Sequence, residues 1–344
     1  MTFFIILLAY ILWTMPHAAT ERRIDKLIYL LVKNATVVVP GPKIASHIGV
    51  SNTTVWDYIE KLRSLGIEIK GHRRSGYQLR KLPDILAPSL IRPELGENRI
   101  GHKIVHYFRI ESTNDTALAL AAKGEAHGTV VLAEEQTAGR GRFGRVWFSE
   151  RSKGIYASII LRPELSPTAA PAITLMAGVA THRALSTVTG LPADIRWPND
   201  VLVNGKKVCG ILTEMSAELD RLHYVVVGIG INVNHTAMPP ELEPIATSLR
   251  MEGGKFYSRA QVLVTLLKEL EREYRLLLDS GSGAIAREWA RASTYAEGKQ
   301  IRVHSHGKDF LAITAGLEPN GSLRLCREDG KEEPLVSGEI VEVE

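Results

Sequence analysis

Cysteine is scarce: Cys209 and Cys326 stand far apart in 344 residues and form no C-x-x-C pair. That speaks against a disulfide framework or a thiolate zinc site and suits a reducing compartment. No repeat of fixed period is present, which leaves out solenoids and propellers. No strong excess of one charge is present either. The formal net charge is +4, from 42 basic and 38 acidic residues. Contact with DNA or with acidic proteins is therefore permitted but not required, and the placement of charge must decide. Long apolar runs are missing except at the start, where residues 1–13 read MTFFIILLAYILW. That run is shorter than the ~20 residues needed to span a bilayer. No basic segment precedes it, as it would in a secretory signal, although Ala18-Ala19 look like a cleavage site. Residues 1–19 are thus a hydrophobic leader with two open readings: an incidental extension from an upstream start, or an export signal or anchor.

The rest divides into three regions, in keeping with the length. In 20–82, Ile24, Leu27, Ile28 and Leu31 recur at helical spacing. GPKIASHIGVSNTTVWDYIEKLRSLG then reads as a short helix, a tight turn at Gly49-Val50, and a second helix capped by Ser51. Asn52, Thr53 and Thr54 open that second helix, where base-reading side chains would sit. A strand pair follows, with Arg73 and Arg74 at a basic tip suited to phosphates. This is a winged helix-turn-helix, with Ser51, Asn52, Thr53, Thr54, Arg73 and Arg74 as DNA-binding candidates. The plainer alternative is a helical packing or dimerisation module. Residues 82–96 hold Pro83, Pro88 and Pro93 and read as a linker.

Region 97–291 alternates strands (105–107, 129–133, 155–161, 225–232) with helices (114–123, 167–188, and one capped by Ser258). Asn204-Gly205 between two apolar strands marks a type I′ hairpin. The fold class expected is α+β, with a central mixed sheet. Region 295–344 alternates in strand fashion around Pro319-Asn320-Gly321 and reads as a small β-barrel. His304 and His306 share a strand face but have no visible third ligand, so no metal site is expected.

The stretch EEQTAGRGRFGRVW at 134–147 satisfies G-x-G-x-x-G. A dinucleotide fingerprint must pass directly into a helix. Here Val146-Trp147-Phe148-Ser149 follows, which is poor helix-starting material. The better reading is a glycine-rich loop that closes over an anion, with backbone N–H groups forming a nest and arginine forks meeting carboxylate or phosphate. An exposed basic loop is the plain alternative.

At this point the sequence resembles the biotin–protein ligase family. GRGRFGRVW resembles the family's glycine- and arginine-rich loop. Ser112-Thr113-Asn114 resembles its S-T-N turn, 196-RWPND-200 its K-W-P-N-D, and 206-KKVCGIL-212 its K-x-x-G-I-L strand. GIGIN at 228–232 and SGEI at 337–340 resemble G-x-G-I-N and the closing G-G-E-I. Any one motif is weak; together and in order they are specific, and the winged helix is similar to that of the bifunctional ligase–repressors. The resemblance implies an SH3-like barrel at the C-terminus. It implies formation of biotinyl-5′-AMP from biotin and ATP, then transfer to a lysine of a biotin carboxyl carrier domain. Substrates are then ATP with Mg²⁺ and biotin, and the compartment is cytoplasmic, with no membrane partner. Operator DNA and a homodimer of the loaded form are implied as well.

By the same resemblance, Lys207, Arg142 and Arg140 are catalytic. Ser112, Thr113, Asn114, Gln136, Arg140, Gly141, Arg142, Lys207, Gly228 and Gly230 meet biotin; Arg142, Arg145, Trp147, Asn199, Lys207 and Asn232 meet ATP. Lys207 follows a stiff hairpin turn that would aim its amine, and cations are needed because carboxylate and phosphate repel. Plainer roles stand beside these: Trp147 and Trp197 as core, Asn199-Asp200 as a turn, and Ser112 as a helix cap. Arg196 stands where the family has lysine, while Phe143 and Val146 stand where it is often basic, which bears on dimerisation and retention of the intermediate. Cys209 takes a small-residue position and reads as packing. The competing function is a biotin-sensing transcription factor without ligase activity. A lipoate ligase would share the catalytic fold, but the 139–145 loop favours biotin.

Overall fold

The computed structural model describes residues 19–72, 74–81, 84–305 and 307–343. Residues 1–18 of the leader, Arg73 and His306 lie outside the described residues. Ile24, Leu27, Ile28 and Leu31 form the buried face of α1, residues 19–33. Left-handed Gly49 (φ 69°) ends α2, Gly41–Ile48. Ser51 caps α3, Asn52–Ser64, by accepting the Thr54 N–H at 3.1 Å. The wing is β1, Ile69–His72, antiparallel to β2, Gly76–Leu79. Gly76 is needed there, since a Cβ would lie 2.1 Å from the Val39 carbonyl oxygen.

The prolines of 82–96 predict a linker, and here the structure differs. Pro88 sits in the first turn of α4, Pro88–Leu95, where its missing N–H loses no helical bond. Pro93 falls in the last turn. The segment's apolar side chains are shared between two cores. Ile85 and Ala87 join the winged-helix core together with Phe108, while Leu86, Ile91 and Leu95 join the central one.

The central sheet has the order β3-β4-β5-β9-β8-β7-β6. β3, Ile104–Tyr107, runs parallel to β4, Val130–Ala133; every other pairing is antiparallel. The remaining strands are β5, Gly154–Leu161, β6, Ala193–Arg196, β7, Asp200–Val203, β8, Lys206–Ala217, and β9, Leu222–Asn232. Asn204 and Gly205 between β7 and β8 both have positive φ, as the type I′ turn demands. α5, Thr113–Ala122, lays Ala117 and Ala121 on Val131, Ile160 and Val226 of the sheet. α6, Ala170–Thr189, α8, Arg259–Ser280, and α9, Ser282–Arg291, pack around the main apolar core; a short α7, Leu249–Gly253, follows β9.

At the C-terminus, β10, Glu297–Ser305, β11, Lys308–Leu317, β12, Leu323–Cys326, β13, Glu332–Leu335, and β14, Glu339–Glu342, form an antiparallel sheet of order β13-β12-β11-β10-β14. Its buried Ile301, Val303, Leu323, Leu325 and Ile340 are continuous with the central core. The α+β class expected from sequence holds, with the helix-turn-helix first, a mixed sheet in the middle and a small all-β unit last. No described helix is long and apolar enough to cross a membrane.

One buried cation ties these pieces together. Arg259, fully buried at the start of α8, donates from Nε to Asp84 (2.9 Å), from Nη1 to the Gly154 carbonyl (3.0 Å) and from Nη2 to Glu134 (2.8 Å). Glu134 also accepts the Leu86 N–H at 2.8 Å and approaches His106 Nε2 at 3.2 Å. Burial pushes the Glu134 carboxyl up, but Arg259, His106 and the Leu86 N–H outweigh it and bring its pKa down to about 2. A carboxyl depressed by folding stabilises the fold above its unfolded pKa and ceases to do so as pH falls through its folded one. The urea midpoint should therefore drop as pH is lowered from about 4.5 towards about 2. Arg259→Ala should lower stability at neutral pH by roughly 3–5 kcal/mol, because it strands buried Glu134 without its partner. A denaturation midpoint equal to wild type would overturn this account.

Candidate active site

Glycine spacing sets the site's floor. Gly228 and Gly230 lie on one face of β9, with Gly210 of β8 directly opposite Gly230. A Cβ on Gly228 would lie 2.1 Å from Asn114 Oδ1, and one on Gly230 would lie 2.4 Å from the Trp147 indole. On Gly210 it would meet Trp147 at 2.8 Å and Lys207 Cε at 3.0 Å. The side chains of Asn114 and Trp147 occupy part of the space that Gly228 and Gly230 free, and both glycines also line the cavity described next.

Over this floor is a cavity of about 710 Å³. Every residue expected to meet biotin or ATP lines it. At one end is the 112–114 turn. Ser112 caps α5 by accepting the Asp115 N–H at 3.3 Å. Thr113 donates to Gln136 Oε1 from its N–H (2.8 Å) and its hydroxyl (3.0 Å), and Gln136 Nε2 donates to Ser149 at 3.0 Å. Gln136 therefore braces the turn. Ser158 Oγ lies 2.6 Å from Asn114 Oδ1 and 2.8 Å from Thr113 Oγ1. Sequence reading missed Ser158, since a lone serine in an apolar strand gives no signal.

The 139–147 stretch is a tight hairpin and not the strand-to-helix turn of a dinucleotide fold. The Gly141 N–H donates to the Arg145 carbonyl (2.7 Å) and the Trp147 N–H to the Gly139 carbonyl (2.9 Å). Its tip places Phe143 at φ 55° and Gly144 at φ 74°, and Phe143 and Val146 stand exposed. Each arginine of the hairpin is anchored elsewhere in the chain. Arg140 Nη2 lies 2.7 Å from both Asp115 and Glu214. Arg142 donates to Asn199 Oδ1 (3.1 Å) and to the Gly338 carbonyl (3.3 Å). Arg145 pairs with both oxygens of Glu339 at 2.6 Å. The C-terminal sheet thus helps build the site, through the SGEI stretch.

Lys207 Nζ lies 2.5 Å from Asp200 Oδ1, and Arg196 holds the other oxygen at 2.8 Å. Burial disfavours charge on Asp200, yet Lys207 and Arg196 keep its pKa below the ordinary value. Asp200 is therefore an anchor for cations and is unsuited to act as a base near neutrality. Arg196, which stands where the family pattern has lysine, holds the Asp200 oxygen that Lys207 does not. The Lys207 amine also stands 5.6 Å from the centroid of the Trp147 ring. Burial lowers the pKa of Arg142, which remains a cation. Cys209 is fully buried and its thiol is pushed up by burial, as a packing residue would be. Trp197 is buried as well, and its indole donates to the Gly321 carbonyl. Asn232 donates to the Thr247 carbonyl at 3.0 Å. Its buried Oδ1 and the Trp147 Nε1 have no hydrogen-bond partner among the described residues.

On the winged helix, Asn52 and Thr53 are exposed at the start of α3, and Trp56 beside them is 54% exposed. Ser51 is engaged as the cap, with its hydroxyl 2.9 Å from that of Thr54. Arg74 is exposed at the wing tip. His304 pairs with Asp309 at 2.6 Å, and no cluster of three or more metal-ligating side chains occurs among the described residues. The glycine floor leads to a direct test. Gly230→Ala should unseat Trp147, costing roughly 1–3 kcal/mol of stability as overpacking does and shifting the tryptophan emission. An unchanged spectrum and melting temperature would show that the indole does not rest there.

Residues 107–232 match the biotin/lipoate A/B protein ligase family, and residues 23–78 match a helix-turn-helix domain. The chain is 40% identical over 306 residues to the bifunctional ligase/repressor BirA of Bacillus spizizenii, covering 88% of this chain and 94% of that protein. Identity to the Bacillus subtilis protein of the same description is 39% over the same shares. The structure of the biotin protein ligase of Aquifex aeolicus, in complex with biotin and ATP, superimposes with a TM-score of 0.60 at 28% identity, over 70% of this chain and 97% of that one. Motif order, cavity and similarity over 88% of the chain agree: this chain belongs to the biotin–protein ligase family, in its bifunctional ligase/repressor branch.

Proposed function

We propose that the cavity joins biotin to ATP and passes the biotinyl group to a lysine of a carrier domain. The observation that carries this reading is the convergence of Arg142 and Lys207 on one cavity whose other end is the braced 112–114 turn, with Arg140 beside that turn through Glu214. A neutral polar ring fits the turn, and an anionic tail fits the cations. In the first step a biotin carboxylate oxygen attacks the α-phosphorus of ATP. The bond to the bridging oxygen breaks and pyrophosphate leaves. Two anions meet there, so Arg142 and Lys207, fixed by Asn199 and Asp200, supply preorganised positive charge. Mg²⁺ enters with ATP as part of the substrate. The orphaned Asn232 Oδ1 fits a contact to its hydration shell, and Trp147 offers a face and an N–H to the adenine side. In the second step a carrier lysine amine attacks the acyl carbon, AMP departs and the amine loses a proton.

The winged helix adds operator binding, with Asn52, Thr53 and Thr54 at bases and Arg73 and Arg74 at phosphates. The loaded form pairs with a second copy through the hairpin region, and the reaction's substrates place the protein in the cytoplasm. Lys207 and Arg142, both present and anchored, count against the reading of a biotin sensor without ligase activity.

Purified protein incubated with ATP, Mg²⁺, biotin and a biotin carboxyl carrier domain should add one biotinyl group to the carrier, as read by mass spectrometry. Lys207→Ala and Arg142→Gly should each slow biotinyl-adenylate formation by about 10²–10³, the size seen when one fixed electrostatic stabiliser is removed. An unmodified carrier with biotin still bound would favour the sensor. Unchanged adenylation in both variants would remove these two residues from the mechanism.

A further inference from the structure

Arg140 differs from the other cations of the cavity in its partners. Its Nη2 lies 2.7 Å from two separate carboxylates, Asp115 at the start of α5 and Glu214 on β8. Arg142 meets only neutral acceptors, Arg145 shares one acid, and Lys207 shares Asp200 with Arg196. Arg140 is thus a single positive charge committed to two negative ones. Neither Asp115 nor Glu214 lines the cavity, whereas Arg140 and Asn114 both do. The Glu214 oxygen that faces Arg140 also accepts the Asn114 Nδ2–H at 2.8 Å, while Asn114 Oδ1 meets Ser158. Glu214 stands on the long β8–β9 ladder, paired with Val226, so its backbone cannot easily follow a moving partner.

We propose that Glu214, assisted by Asp115, is a positioning residue that holds Arg140 in the absence of an anionic ligand and competes with such a ligand for it, which weakens the binding of anions and leaves neutral ligands unaffected. The inference rests on the biotin reading above. The substrate tail is a carboxylate, and the intermediate carries a phosphate; both can compete with the two acids for the guanidinium. The product is a lysine amide without charge at that end, so it cannot compete. Arg140 then stays with Glu214 and Asp115, and the product's affinity does not depend on them. The same carboxylate fixes which way the Asn114 amide points, so the neutral end of the ligand is read by a side chain that Glu214 holds in place.

The test is isothermal titration of the full chain with biotin and with biotin primary amide, in wild type, Glu214→Gln and Asp115→Asn. Glutamine keeps an acceptor for Asn114 and removes the competing charge. Loss of one partly exposed ion pair is worth at most about 1 kcal/mol, or roughly fivefold in affinity. Biotin should therefore bind up to about fivefold more tightly to Glu214→Gln, with the amide unchanged, and Asp115→Asn should shift the ratio in the same direction. A purely structural role for Glu214 would weaken both ligands in parallel. A parallel change, or a biotin-to-amide ratio fixed at the wild-type value in both variants, overturns the inference while leaving the biotin reading intact. Wild-type protein that binds neither ligand overturns both.

Discussion

Arg259 has no access to water, and three stretches distant in sequence are arranged around it. Asp84 comes from the segment after the wing, Glu134 from the end of β4, and the Gly154 carbonyl from the start of β5. A buried guanidinium must have its donors satisfied, so these stretches cannot be moved independently. Glu134 leads within two residues to Gln136, the brace of the 112–114 turn, and its other oxygen holds the Leu86 N–H. The position of the DNA-facing domain and the shape of the ligand cavity therefore share one buried charge.

The cavity uses the same device at its rim in partly exposed form. Each cation is given a counterion or acceptor on a different element: Lys207 on Asp200, Arg142 on Asn199 and Gly338, Arg145 on Glu339, Arg140 on Glu214 and Asp115. Long flexible side chains are thereby held before any ligand charge arrives, which is what preorganisation requires. Because several of these anchors belong to strands, the geometry of the cations follows the registers of the sheets. The hairpin tip itself, with Phe143 and Val146 exposed, is left free of such anchors.

Much of this was legible in the sequence where chemistry is local. Gly49 and Ser51 punctuate the helix-turn-helix, Asn204-Gly205 demands the turn before Lys207, and Val146-Trp147-Phe148-Ser149 after GRGRFG is poor material for the helix that a dinucleotide turn must enter. Short elements escaped: β6, α7 and β13 are too brief to show a period. The 82–96 stretch was misleading, because Pro88 stands in the first turn of α4, where a proline is tolerated, and the helix holds despite a second proline inside it, Pro93. Glu214, Ser158, Asp84 and Arg259 gave no signal, since their importance comes from partners at least 44 residues away. Gly228 and Gly230 were seen, but only the fold reveals that Asn114 and Trp147 occupy part of the space they leave.

The shared cores decide where the chain could be cut. Detaching the winged helix upstream of Asp84 would leave the central domain its own Asp84–Arg259 and Leu86–Glu134 contacts, with Phe108 and Glu21's partners newly exposed to solvent. A cut at the first strand of the sheet would instead strip the buried guanidinium of a counterion. No comparable cut exists at the other end. The last sheet shares its apolar interior with the middle of the molecule and lends Gly338 and Glu339 to the hairpin arginines. The chain is therefore modular at its front and indivisible behind it, so a regulatory head could be gained or lost in evolution without rebuilding the catalyst.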